Sequence, residues 1–135
     1  MDDVKCNALK AELATQPEPH LVPIERFFDG NDDVGSIGCN LLAHPGVDAF
    51  RETLAGLLRR PDVQAVYAQI SELDPGAGSW PFTDTVVVVG GISTAELRKA
   101  VHALRPDEVG TAEELGISPS VARGHGSPVL AVWWD

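Results

Sequence analysis

TVVVVGGISTAEL, residues 85–97, decides the fold. Its first half is a continuous β-branched run, the pattern of a strand buried on both faces. Ser93-Thr94-Ala95-Glu96 is a capping-box pattern, and Leu97, Ala100, Val101 and Leu104 continue it as an amphipathic helix that Pro106 ends. Strand, glycine turn and helix make one βα unit.

Working outward, VLAVWWD (129–135) reads as a closing strand. Residues 108–127 read as irregular, with one turn of helix at AEEL after Thr111. On the other side, VQAVYAQISEL (63–73) is a strand with Val66, Ala68 and Ile70 on one face, and PGAGSWP (75–81) is a loop. His44-Pro45-Gly46 opens a second helix, with Pro45 suited to its first position and Val47, Phe50, Leu54, Leu57 and Leu58 as its apolar stripe. SIGCNLL (36–42), a short apolar run bounded by glycine, reads as the strand before it.

The two halves echo each other. Each runs strand, glycine turn, helix and Arg-Pro-Asp, at RRPDV (59–63) and LRPDEV (104–109), with Pro61 and Pro106 lying 45 residues apart. That offset places SIGCNLL within a few residues of TVVVVG. The pattern predicts an α+β two-layer sandwich, ferredoxin-like β-α-β-β-α-β, with its first and third strands central. LVPIERFF (21–28) fits either an edge strand or a helical turn opening at Pro23. VKCNALKAELA (4–14) reads as a short, weakly anchored helix, and QPEP (16–19) ends it. The expected division is residues 1–20 as N-terminal helix and linker, and 21–135 as a single α+β domain.

Composition narrows the function. The 135-residue chain carries 20 acidic and 10 basic residues, a net charge of −10. Such a surface repels nucleic acid and anionic membrane, and favours a basic partner or simple solubility. No apolar run is long enough to span a bilayer, and no secretory signal opens the chain. Two cysteines, Cys6 and Cys39, make no disulfide framework, so a cytoplasmic setting is expected.

The chemistry-bearing residues are few. Asp29, Asn31 and Asp33 match the first, third and fifth positions of a calcium loop, but Val34 stands at the glycine position and Asn40 at the twelfth. A solvated turn whose side chains bind local backbone explains them without a metal, so none is expected. Cys39 and His44 are the nearest thiol–imidazole pair, yet Cys39 sits in an expected core strand, where Cys39→Ser would cost stability first. Gly90-Gly91 ahead of a helix lacks both the GxGxxG spacing and the lysine of a phosphate loop, and no cofactor is expected. His20, His44, His102 and His125 show no zinc spacing. Trp80 lies in a loop, while adjacent Trp133 and Trp134 point to opposite strand faces, so one is core and the other needs cover.

FFDGNDDVGSIGCNL (27–41), HPG (44–46), RPDV (60–63), SWPFTDTV (79–86), RPDE (105–108) and VWWD (132–135) together resemble a family of small uncharacterised bacterial proteins. The resemblance implies no site residues. In type, small and acidic and α+β, the chain is also similar to immunity proteins that neutralise bacterial toxins. The reading that follows is a non-catalytic cytosolic protein that binds a protein partner (a basic one if immunity-like), or a second copy through its sheet or C-terminal tryptophans. The competing reading is a small-molecule or enzymatic domain. Across the two readings the ligand or interface candidates are Asp29, Asp32, Asp33, Cys39, His44, Trp80, His125 and Trp134; the competing reading rests on Asp32, Asp33, Cys39, His44, Trp80 and His125 and needs a polar pocket joining the 29–44 and 75–82 loops. Finding those loops at opposite ends would exclude it.

Overall fold

The computed structural model describes residues 1–135. The valine run lies at the centre of the sheet, in β3 (Phe82–Gly90). Side chains alternate across it: Val86 and Val88 enter the main core, Val87 and Val89 a smaller one on the opposite face. Before it come α1 (Asp3–Ala14), β1 (Leu21–Pro23), α2 (Ile24–Phe28), a 3-10 turn (Val34–Ser36), α3 (Val47–Leu58) and β2 (Val63–Glu72). After it come α4 (Thr94–Ala100), a 3-10 turn (His102–Leu104), β4 (Glu108–Thr111), α5 (Pro119–Ala122) and β5 (Val129–Trp133). The strands form one sheet in the order β1-β2-β3-β5-β4, every neighbouring pair antiparallel.

The class is α+β as expected, but this strand order corrects the ferredoxin-like arrangement. SIGCNLL is not a strand. It makes a single parallel bridge, Ile37 to Thr83, and then turns. Gly38 has φ +64°, and a Cβ there would stand 2.7 Å from Phe50 Cζ, so only glycine fits. Leu41 N–H closes the turn on Gly38 O, and Leu42 is fully exposed. Since β2 occupies one side of β3, Ile37 takes the first position on the other, and β5 pairs with Thr85–Val89 along the rest. The slot expected for SIGCNLL is thus filled by the C-terminal strand. β4, in a stretch whose sequence reads as irregular, runs parallel to β3 with β5 between them. The second half is therefore one split β-α-β unit.

Local chemistry accounts for the helices. Ser93 Oγ caps α4 by accepting from Glu96 N–H at 3.1 Å. α3 buries Val47, Phe50, Leu54 and Leu57, each worth about 1.5–3 kcal/mol in removed apolar surface. Its N-cap is Gly46, so Pro45 stands just ahead of the helix and not in it. LVPIERFF is both of its alternatives in turn: Leu21–Pro23 is an edge strand and Ile24–Phe28 a helical turn. α1 is firmly anchored, because Cys6, Leu9 and Leu13 enter the main core beside Ile24, Phe27 and Trp80. Residues 112–122 cover part of the second face through Ala112, Ile117 and Val121.

Candidate functional site

The 29–44 and 75–82 loops meet. Trp80 N–H donates to Asp33 Oδ2 at 3.0 Å, and α1 fastens the second loop from behind. Cys6 Sγ donates to Ser79 O at 3.5 Å, and Lys10 Nζ to Asp74 Oδ1 and Gly76 O at 3.0 and 3.1 Å. Between the loops opens a cleft of about 290 Å³, lined by Asp33, Gly35, Cys39, Glu72, Ser79 and Trp80 among others.

Most of the acidic residues that suggested chemistry are occupied by architecture. Asp29 holds Lys5 Nζ at 2.6 Å, and Asp32 holds the N-terminal ammonium at 2.9 Å. Those bonds raise the Lys5 ammonium and lower the Asp32 carboxyl from their ordinary values. Asp33 uses Oδ1 on Gly35 N–H and Oδ2 on Trp80 N–H. Asn31, 1% exposed, bonds Phe27 O and Ser36 Oγ through its amide nitrogen and Asp33 N–H through its oxygen. No group of three or more His, Cys, Asp or Glu side chains stands where it could hold a metal ion.

His44 is spoken for in the same way. Its Nε2 lies 2.8 Å from Ile37 O, and Nδ1 accepts from Gly46 N–H at 2.9 Å. Those partners fix the neutral tautomer with the proton on Nε2, leaving no nitrogen to take a proton from Cys39. The cysteine is exposed and lies outside any strand, which corrects its expected burial. Its neighbours in the cleft include the carboxylates of Asp33 and Glu72 and no cation. Cys6 is the buried thiol, and burial pushes its pKa up.

His125 and Trp134 lie elsewhere. His125 stacks on Tyr67 at 5.9 Å, on the sheet face opposite the main core. Trp134 is 1% exposed, packs edge-on against Phe50 at 5.5 Å and donates Nε1–H to Leu104 O at 2.9 Å. Its cover comes from within the chain, so it offers no surface to a partner. Trp133 is the half-buried one of the pair. Within the cleft, Trp80 is 1% exposed and its Nε1 is buried with no partner in the chain.

A larger crevice, about 720 Å³, lies between α4 and β4, lined by Arg98, His102, Arg105 and Asp107 with small apolar neighbours. In the sequence His102 shows no zinc spacing, and Arg98 stands out only as one of an adjacent basic pair with Lys99. The available signal was spacing: positions 98, 102 and 105 follow at i, i+4 and i+7, one face of a helical segment.

Fold and cleft define a small α+β protein, with α1–α4 over one face of an antiparallel sheet, the short α5 over part of the other, and a recessed site between two loops. The chain belongs to the uncharacterized protein YfbO family, whose model matches residues 4–129. It is similar to the uncharacterized protein YfbO of Escherichia coli (strain K12), 28% identical over 125 residues, 88% of this chain and 84% of the relative. No solved structure matches the chain. No helix is long and apolar enough to cross a membrane.

Proposed function

We propose that the protein acts by binding and not by catalysis, and that the cleft between the 29–44 and 75–82 loops receives a basic side chain of a protein partner. The observation that carries this reading is the contrast within the cleft. The side-chain oxygens of Asp33 are held in structural hydrogen bonds, while Glu72 and Cys39 remain exposed at the walls. A volume near 290 Å³ is at the lower limit of small-molecule pockets, and suits one long side chain better than a cofactor. Carboxylate walls on a chain of charge −10 select a cation and steer its approach. An inhibitor of a basic protein, as immunity proteins are, is one concrete form of this function.

Calorimetric titration with an arginine-rich peptide tests the reading. Saturable binding that weakens with added salt, and that Glu72→Lys removes, is the expected result. Binding indifferent to Glu72→Lys would place recognition elsewhere.

A further inference from the structure

Arg60-Pro61-Asp62 and Arg105-Pro106-Asp107 are one tripeptide in two settings. In the first, Arg60 Nε and a terminal nitrogen fork onto Asp62 Oδ1 and Oδ2 at 2.9 and 3.0 Å, with Glu96 3.8 Å from the same guanidinium. In the second, Asp107 Oδ2 accepts instead from Asp135 N–H at 2.6 Å. Arg105 takes part in none of the ion pairs of the chain.

The backbone of Arg105 is equally unusual. It is the one non-glycine residue with positive φ, at φ 52° and ψ 52°. The left-handed region is costly for a residue with a Cβ, and a following proline disfavours helical backbone in the residue before it. Ending the His102–Leu104 turn calls for this conformation, but glycine or asparagine supplies it at least cost. The turn uses only the Arg105 backbone N–H, donated to His102 O at 3.1 Å. Nothing in the fold accounts for the guanidinium.

The crevice does. Arg98, His102 and Arg105 line it together, all three exposed. Arg98 gives one N–H to Val109 O at 3.2 Å and keeps its others. Two guanidinium groups and an imidazole thus face a single lining carboxylate, Asp107, on a strongly acidic molecule. Of the ten lysines and arginines, Lys5, Lys10, Arg26, Arg51 and Arg60 are each paired with a carboxylate, and of the five unpaired ones only Arg98 and Arg105 line the crevice. We propose that the crevice between α4 and β4 binds the compact oxyanion group of a small molecule, a phosphate or a clustered carboxylate, through Arg98, His102 and Arg105. The planar fork of a guanidinium matches such oxygens in bidentate fashion. This site is separate from the cleft proposed for a basic side chain and has the opposite charge preference.

The test titrates the full chain with pyrophosphate, inorganic phosphate and citrate, with chloride at matched ionic strength as control, followed by calorimetry and backbone amide NMR. The expected result is saturable binding with shifts confined to residues 98–109. A preference for the phosphates identifies a phosphate group as the natural anion, and a preference for citrate a carboxylate one. Arg105→Gly should weaken binding roughly tenfold or more, the loss of a charge-assisted contact, while its melting temperature holds or rises. Arg98→Gln, which leaves the backbone untouched, should weaken binding as well and serves if the glycine variant folds poorly. Absence of saturable binding, or wild-type binding in a folded Arg105→Gly or Arg98→Gln protein, overturns the proposal.

Discussion

Cys6 and Cys39 exchange the roles that their neighbouring residues suggest. Cys39 follows an isoleucine and glycine in an apolar run, yet it is exposed at the cleft, while Cys6, in a polar-looking segment, is 2% exposed and reaches Ser79 O. Cys39→Ser should therefore change stability by less than about 0.5 kcal/mol. Cys6→Ser, which places a hydroxyl in the apolar core, should cost about 1–2 kcal/mol. Urea unfolding midpoints check both, and iodoacetamide should modify Cys39 well before Cys6 in the native protein. At this scale the sequence was legible where proline stops a helix, as at Pro61 and Pro106. It was opaque where burial depends on a distant element. Nothing near Trp80 in the chain announces that α1 and the 29–44 loop will enclose it.

Among the elements, α3, α4 and the two longest strands were legible because their periodicity is strong and their ends carry caps or proline. The misreading of SIGCNLL has a physical cause. Its apolar residues serve three separate contacts: Ile37 on the sheet, Gly38 under Phe50 and Leu41 against the core. A short apolar run cannot by itself be told from a strand. β4 was missed for the converse reason, since Glu108–Thr111 has one apolar side chain and owes its strand geometry to pairing with β5. The reciprocal Thr111–Glu114 bonds do form the turn expected at AEEL. α1 shows what weak amphipathicity conceals: only Cys6, Leu9 and Leu13 are buried, but they complete the main core. Leu9→Ala should cost about 2–5 kcal/mol, measured as a shift in thermal or urea midpoint. A cost no larger than that of an exposed substitution would show α1 to be an appendage.

For the molecule as a whole, charge sets the response to pH. The carboxylates of Asp32, Asp62, Asp74 and Glu114 are held below the usual range, by the N-terminal ammonium, Arg60, Lys10 and Thr111 respectively. A folded pKa lower than the unfolded one gives stability that is present above about pH 4 and lost as pH falls through the folded values. The N-terminal ammonium is raised by Asp32, so its contribution is complete below about pH 8 and fades above it. The melting temperature should fall below about pH 4, by small steps because all these groups lie at the surface. A melting temperature that still climbs in that range would contradict the assignment.

The most direct test uses Trp80, which lines the cleft and is 1% exposed. Three tryptophans give three indole N–H resonances, and a Trp80→Phe variant assigns the one that matters. On titration with the arginine-rich peptide, that resonance should shift saturably, while the Trp134 resonance, bonded to Leu104 O, stays in place. Raised salt and Glu72→Lys should each abolish the shift. A Trp80 resonance that does not move while the peptide binds would contradict the assignment of the cleft.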